Sequence, residues 1–141
     1  MAAVEAWWVQ PTTLDANSFA HLEPWLKQLE RDTGGEWDTV SVVEDVVSGR
    51  VQILAAVADG EVKAVAGLEI KQFRNLDRVG SIAFCVGSGR KLWQHLFNDM
   101  VDWFRSQGCI RIKGQMRKGW TRALADKDFK VTHVVAELEI A

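Results

Sequence analysis

The chain has 141 residues, 48% of them hydrophobic and 26% charged, which is ordinary for a soluble globular protein. This length suits one domain spanning residues 1–141, able to bury about two-thirds of the surface that the unfolded chain exposes. The formal net charge of −2 gives no general case for nucleic-acid binding, although it leaves room for local basic clusters. No apolar run approaches the roughly 18 residues that would predict a membrane-spanning helix.

The N-terminus and the cysteines favour a cytosolic protein. Glu5 lies where a signal peptide would need its apolar core. Cys85 and Cys109 both fall in predicted strands, which favours buried, reduced thiols, with a disulfide between them left open.

The first third of the chain predicts one strand and two helices. Residues 4–10 form the strand, and a helix follows over about 16–31, in which Pro24 marks a point where it could split. Residues 38–48 are rich in valine, as strands are, but the valines have helical spacing, so we predict a second helix.

The middle of the chain predicts a hairpin and a third strand. Residues 51–58 and 61–73 are rich in β-forming residues and flank the pair Asp59–Gly60, which tolerates the positive φ angles of a tight turn. A second turn at 75–77 leads into a strand over 78–86.

The stretch from 87 to 108, GSGRKLWQHLFNDMVDWFRSQG, predicts a long helix with one wide apolar face. Its start is glycine-rich and basic, and Gly108 suits the left-handed position that ends a helix. A helix N-terminus of this kind offers free N–H groups and partial positive charge to a phosphate, although such turns also serve simply as helix caps.

After this helix we predict a strand over 109–115, a short helix over 118–127 and a last strand over 129–140. The complete order is β-α-α-β-β-β-α-β-α-β. It defines a mixed α/β fold with a mostly antiparallel sheet and helices on both faces.

This order and three stretches together resemble the GNAT superfamily of N-acetyltransferases over essentially the whole chain. The stretches are EDVVSGRVQILAAVAD with the hairpin after it, the helix over 87–108, and GCIRIKGQMRKGWTRALADKDFKV over 108–131. The start of the last stretch and its RKGW run resemble, more narrowly, small GNAT-like proteins encoded by tailed bacteriophages.

The GNAT resemblance implies a CoA thioester, acetyl-CoA, as cofactor and an amine as acyl acceptor. The residues it places at the phosphates are Gly87, Ser88, Gly89, Arg90 and Lys91. Glu69, on the third predicted strand, is the candidate base that deprotonates the amine, and its alternative role is a solvated strand residue. Arg117 and Lys118 are further candidates for an anionic partner.

The chain departs from the GNAT pattern at two places. Lys91 and Trp93 stand where the glycines of the family's cofactor signature would lie, and their side chains would obstruct a close backbone approach. The position of the family's tyrosine acid aligns with Leu124, and the sequence contains no tyrosine at all. The cofactor loop is therefore degenerate by the family's standard.

Other catalytic arrangements find no support in the sequence. No group of His, Cys, Asp or Glu has metal-ligand spacing, and no G-x-S-x-G motif occurs, so we predict no metal site. His95 and Asp99 are four residues apart on the polar side of the long helix, where a surface pair is the simpler interpretation.

Two hypotheses stay open. The first is an acyl-CoA N-acyltransferase with a variant phosphate loop. The second is a non-catalytic phage particle, assembly or host-interaction protein that uses the fold as a scaffold, with Trp37, Trp103 and Trp120 as exposed anchors. The resemblance also makes a homodimer possible. If the protein is encoded by a phage, its expected location is the host cytoplasm or the virion.

Overall fold

A computed structural model describes residues 3–87, 90–114, 129–131 and 135–140, with only the backbone described for 90–93. The elements are, in chain order, β1 (Glu5–Trp8), a 3-10 turn (Pro11–Thr13), α1 (Ala16–Asp32), α2 (Thr39–Val47), β2 (Gln52–Ala58), β3 (Glu61–Gln72), β4 (Arg78–Gly87), α3 (Arg90–Ser106) and β5 (Arg111–Gly114). The predicted helix over 118–127 lies outside the described residues.

The five strands form one sheet in the order β1-β2-β3-β4-β5, which is also their order along the chain. The first three pairings are antiparallel, and β4 and β5 are parallel because α3 connects them. The predicted mixed and mostly antiparallel sheet is therefore confirmed. None of the helices in the described part of the chain combines the length and apolarity that a membrane crossing requires.

Both N-terminal helices begin at an aspartate cap. The side chain of Asp15 accepts a hydrogen bond from the Ser18 N–H at 2.9 Å, and Asp38 accepts from the Ser41 N–H at the same distance. Each cap satisfies a backbone donor that the first turn leaves without a partner in the helix. α1 continues past Pro24 without a break, so the prediction that it could split there is wrong.

The sheet separates two apolar clusters, and each is covered by helices. α1 and α2 cover one face, which we call the α1/α2 face; its cluster includes Leu22, Leu26, Val42, Val46, Ile53, Val65, Phe84 and Val86. α3 covers the opposite face, the α3 face, where the cluster includes Leu54, Ala64, Ala66, Leu68, Leu96, Met100 and Phe104. Helices therefore lie on both faces of the sheet, as predicted.

Two glycines let aromatic rings lie directly on the sheet. The ring of Phe84 occupies the space where Gly67 would carry a β-carbon, and the ring of Phe104 does the same at Gly80. Phe104 is 1% exposed and Phe84 is 6% exposed. These positions are restricted to glycine by the neighbouring ring, since neither has a positive φ.

The predicted hairpin turn is confirmed at its two central residues. Asp59 and Gly60 have φ angles of 55° and 73°, which suits a two-residue turn between antiparallel strands. The predicted last strand is not seen in the described residues 129–131 and 135–140, which have no regular secondary structure. Val135, Leu138 and Ile140 are exposed there.

We expect Gly67→Ala to destabilise the fold by about 1–3 kcal/mol, because the new β-carbon must displace the ring of Phe84. Urea unfolding measures the loss. Adding Phe84→Leu creates room, so the double variant should lose less than the sum of the two single variants. Strictly additive losses would contradict the contact described here.

We also expect stability to fall in acid through the two helix caps. Hydrogen bonds from Ser18 and Ser41 lower the pKa of Asp15 and Asp38 in the folded protein. The stabilisation is therefore present above the unfolded-state pKa of about 3.9, and is lost as the pH falls through the lower folded-state pKa.

Asn at both capping positions keeps an acceptor for each helix but does not titrate. The urea midpoint of the Asp15→Asn, Asp38→Asn variant should therefore fall less between about pH 5 and about pH 2 than that of the parent chain. An equal fall in both proteins would show that the caps do not contribute to acid sensitivity.

Candidate functional site

Gly87 ends β4 and opens the turn to α3. It has a φ of 134° and lies opposite Ala64 of β3. A β-carbon on Gly87 would lie 2.5 Å from the carbonyl oxygen of Lys63 and 2.5 Å from the Cα of Ala64. Gly87 is therefore required by the packing of β3 against the turn, before any ligand is considered.

The first turn of α3 follows this glycine. Arg90 and Lys91 are its first two residues, and no acidic residue lies in the first turn. The backbone N–H groups of a first helical turn have no partner within the helix and carry partial positive charge. This end of α3 thus suits an anion electrostatically. Ser88 and Gly89, the other two predicted phosphate-binding residues, lie outside the described part of the chain.

The second half of β4 has an edge without a strand partner in the described residues. Among the described residues, β5 pairs with β4 from Val79 to Ile82, and Gly114, the partner of Ile82, is the last residue described before 129. Residues 84–87 of β4 continue to pair with β3 on the other side. Since the N–H groups of a strand point alternately to its two edges, some in this segment point away from β3.

A β-bulge lies directly after Ile82, the last β4 residue with a described partner in β5. Gly67 pairs with Phe84 and Leu68 pairs with Ile82, so Ala83 is the extra residue in β4. The bulge places Ile82 against the α3 cluster but Phe84 and Val86 in the α1/α2 cluster. The bulge could not be predicted from the sequence, because no glycine, proline or break in hydrophobicity marks Ala83.

Glu69 lies on β3, opposite Ser81 of β4. Its neighbours Leu68 and Ile70 both contact the α3 cluster, so Glu69 points to the α1/α2 face. Ala64, the partner of Gly87, lies five positions before Glu69 on β3. At about 3.3 Å per residue, the distance along the strand is about 16 Å. The structure therefore separates the candidate base from the turn, and only an elongated ligand could reach both.

The two cysteines are free thiols, so no disulfide joins them. Cys109 is partly buried, and desolvation raises its pKa against the opposing effect of Arg78. Cys85 lies in the second half of β4 and is exposed, so the prediction that it is buried is wrong. It follows the bulge, where strand alternation alone does not fix the environment of a side chain.

The histidines and the potential metal ligands were the remaining candidates for a catalytic group. His95 and Asp99 are both exposed on α3, as a surface pair would be. Within the described ranges, no group of three His, Cys, Asp or Glu side chains could hold a metal ion. His133 lies outside these ranges.

Two of the three proposed tryptophan anchors pack within the fold. Trp37 lies 5.1 Å from Phe84, measured between ring centroids, and Trp103 stacks on Trp8 at 5.6 Å. Both are partly buried, so the prediction that they are exposed anchors is wrong. Trp120, Arg117, Lys118 and Leu124 lie outside the described residues, as does the side chain of Trp93.

The chain matches no family model and no curated protein. Among solved structures it is similar to an acetyltransferase from Trypanosoma brucei, with 18% identity, a TM-score of 0.71 and coverage of 98% of this chain and 100% of the other. A ribosomal-protein-alanine N-acetyltransferase from Brucella melitensis biovar Abortus 2308 gives 11% identity, a TM-score of 0.72 and coverage of 99% and 100%.

A third similar structure is the aminoglycoside N-acetyltransferase AAC(6')-Iy in complex with CoA. The two chains are 15% identical, with a TM-score of 0.73 and coverage of 99% of this chain and 96% of the other. At these identities the likeness concerns the fold. The chain thus has the GNAT acetyltransferase fold, with the parallel β4–β5 pair and α3 arranged as described above.

We expect Gly87→Ala to destabilise the protein by about 1–3 kcal/mol even without a ligand, because the β-carbon would contact the β3 backbone. Thermal and urea unfolding of the ligand-free protein measure this loss. If the stability of Gly87→Ala equals that of the parent chain, the packing of β3 does not require glycine at this position.

Proposed function

We propose that the protein is an acyl-CoA-dependent N-acyltransferase with a variant cofactor loop, and that acetyl-CoA is its acyl donor. The observation that carries this proposal is the strand–helix–strand unit of β4, α3 and β5, in which β4 and β5 are parallel and the N-terminus of α3 follows closely on the end of β4 at Gly87. The first turn of α3 supplies backbone N–H donors that have no partner within the helix.

The residues present are compatible with the phosphates of CoA. The start of α3 brings two cationic residues, Arg90 and Lys91, to a turn without acidic residues. Gly87, Ser88 and Gly89 precede them and limit side-chain bulk in the turn. CoA carries its thioester at the end of a long arm, which suits the separation of about 16 Å between this turn and Glu69.

When bound, an acyl-CoA supplies an activated thioester to an amine acceptor. In our proposal Glu69 accepts the proton that the amine loses on attack, directly or through one water. Backbone N–H groups of β4 beyond Ile82, on the edge away from β3, donate to the thioester carbonyl oxygen as negative charge develops on it. The sequence has no tyrosine, so protonation of the leaving thiolate falls to water.

The alternative is a non-catalytic interaction protein encoded by a tailed bacteriophage, located in the host cytoplasm or in the virion. Two features favour it: Lys91 and Trp93 occupy the family's glycine positions, and the tyrosine acid is missing. The contacts of Trp37 and Trp103 speak against this alternative, because both side chains pack within the fold and so do not serve as exposed anchors. A homodimer is compatible with either function.

Thermal unfolding with and without acetyl-CoA tests the proposal, backed by calorimetric titration. Ligand at about 100 times its Kd should stabilise the protein by about 2.7 kcal/mol, which raises the Tm by several degrees. Gly89→Trp should abolish the shift by filling the turn. No shift at millimolar acetyl-CoA would overturn the acyltransferase proposal.

Glu69→Gln separates catalysis from binding. We expect it to retain the acetyl-CoA shift and to lower acyl transfer by about 100-fold or more in an assay of thiol release with a panel of amines. Glu5→Gln, an exposed carboxylate on β1, is the matched control and should leave both readouts unchanged. Equal activity of Glu69→Gln and the parent chain would exclude Glu69 as the base.

A further inference from the structure

A basic groove lies at the end of the sheet away from the candidate cofactor turn. It is open to solvent, has a volume of about 570 Å³ and is lined by Phe73, Arg74, Asn75, Arg111 and Lys113. Three of these five side chains are cationic. The groove combines the turn between β3 and β4 with the start of β5. β4 runs from Arg78 beside the groove to Gly87, about 30 Å at about 3.3 Å per residue, so the groove is separate from the turn before α3.

A short hydrogen-bond network holds the polar side of the groove. The Asp77 carboxylate accepts from the side-chain amide of Asn75 at 3.0 Å and from a guanidinium nitrogen of Arg111 at 3.1 Å. The Asp77 N–H donates to the Asn75 side-chain oxygen at 3.1 Å. The guanidinium of Arg111 is thereby oriented through one of its donors, and its fork retains others for a ligand.

The groove is positive although the chain as a whole is negative. Arg74, Arg111 and Lys113 bring three positive charges, and Asp77 beside them brings one negative charge. Arg74 has no ion-pair partner in the part of the chain that the structure describes. On a chain with a formal net charge of −2, this local excess favours an anionic ligand.

Phe73 gives the groove a flat apolar surface among these charges. Its residue is 44% exposed, and the ammonium of Lys113 lies 5.4 Å from the ring centroid. The main chain at Phe73 is fixed by a hydrogen bond, since the Phe73 N–H donates to the Asp77 carbonyl at 2.9 Å. An exposed aromatic ring beside cations suits a ligand that combines a planar ring with phosphates, because the ring can stack while the phosphates meet Arg and Lys.

We propose that this groove binds a nucleoside phosphate, with the base on Phe73 and the phosphates on Arg74, Arg111 and Lys113. The ligand is either a free nucleotide or a nucleotide unit within a single strand, since both present the same chemistry. A purely charged ligand would make no use of the exposed ring of Phe73, and an uncharged ring would make no use of the local excess of positive charge. The site is independent of the proposed acyl transfer.

Calorimetric titration at low salt with uridine 5′-diphosphate tests the proposal. This pyrimidine nucleotide lacks the adenine of CoA, but its phosphates have the same chemistry as those of CoA. The titration is therefore repeated with the Gly89→Trp variant, in which nucleotide binding should be unchanged; loss of binding there would place the nucleotide at the turn before α3 and overturn the proposal. We expect saturable binding that is at least about tenfold tighter than that of uridine or of inorganic pyrophosphate, because each lacks one half of the recognition. No binding at millimolar nucleotide, or pyrophosphate binding as tightly as the nucleotide, would overturn it.

Three variants locate the binding. Phe73→Leu keeps an apolar side chain but removes the ring, and Arg74→Gln removes a charge, so each should weaken nucleotide binding about tenfold. Lys27→Gln removes an exposed charge on α1 as a matched control and should have no effect. The Tm of each variant verifies folding. Binding unchanged in both groove variants would place the nucleotide elsewhere and overturn the proposal.

A fluorescein-labelled oligothymidylate of about eight nucleotides distinguishes the two sources of the ligand by anisotropy. Tighter binding of the strand than of the free nucleotide, weakened by Phe73→Leu and by salt, supports a single-stranded nucleic acid. Equal or weaker binding of the strand supports a free nucleotide. An oligoglutamate peptide that displaces the nucleotide at similar concentration would overturn the proposal, because charge alone would then explain the affinity.

Discussion

The contact between Phe84 and Gly67 organises the central part of the sheet. The ring lies where Gly67 lacks a β-carbon, so β3 and β4 carry a large side chain without being pushed apart. Trp37 packs against the same ring, which joins it to the α1/α2 cluster. The bulge at Ala83 directs Phe84 to this face, and it lies directly after the last described β4–β5 pair, Ile82 with Gly114.

Hydrophobic spacing was sufficient to predict most of the elements, because each repeat follows from a buried face that is local in sequence. The valines of α2 and the apolar face of α3 are examples, and Asp59–Gly60 marked the hairpin. Spacing did not predict the bulge or the exposure of Cys85. An extra strand residue changes which face of the sheet the following side chains point to, but it leaves the composition of the strand unchanged. Pro24 does not break α1, because the packing of the helix outweighs the loss of one backbone N–H donor at the proline.

The candidate sites differ in how far the sequence revealed them. The turn before α3 is contiguous, so its glycines and cations were evident as a motif. The bulge in β4 depends on how β3 and β4 pair, and the basic groove joins residues 73–75 to residues 111 and 113. Neither can be found by scanning a single stretch, because tertiary structure brings the parts together.

The matching of strand order to chain order affects how the sheet can assemble. β2, β3 and β4 are joined by short turns, so their pairing closes small loops and costs little chain entropy. β1 must close a loop that contains α1 and α2, and β5 one that contains α3. The three-stranded meander is therefore the part whose formation depends least on distant contacts, and the outer strands carry most of the topological cost that slows folding.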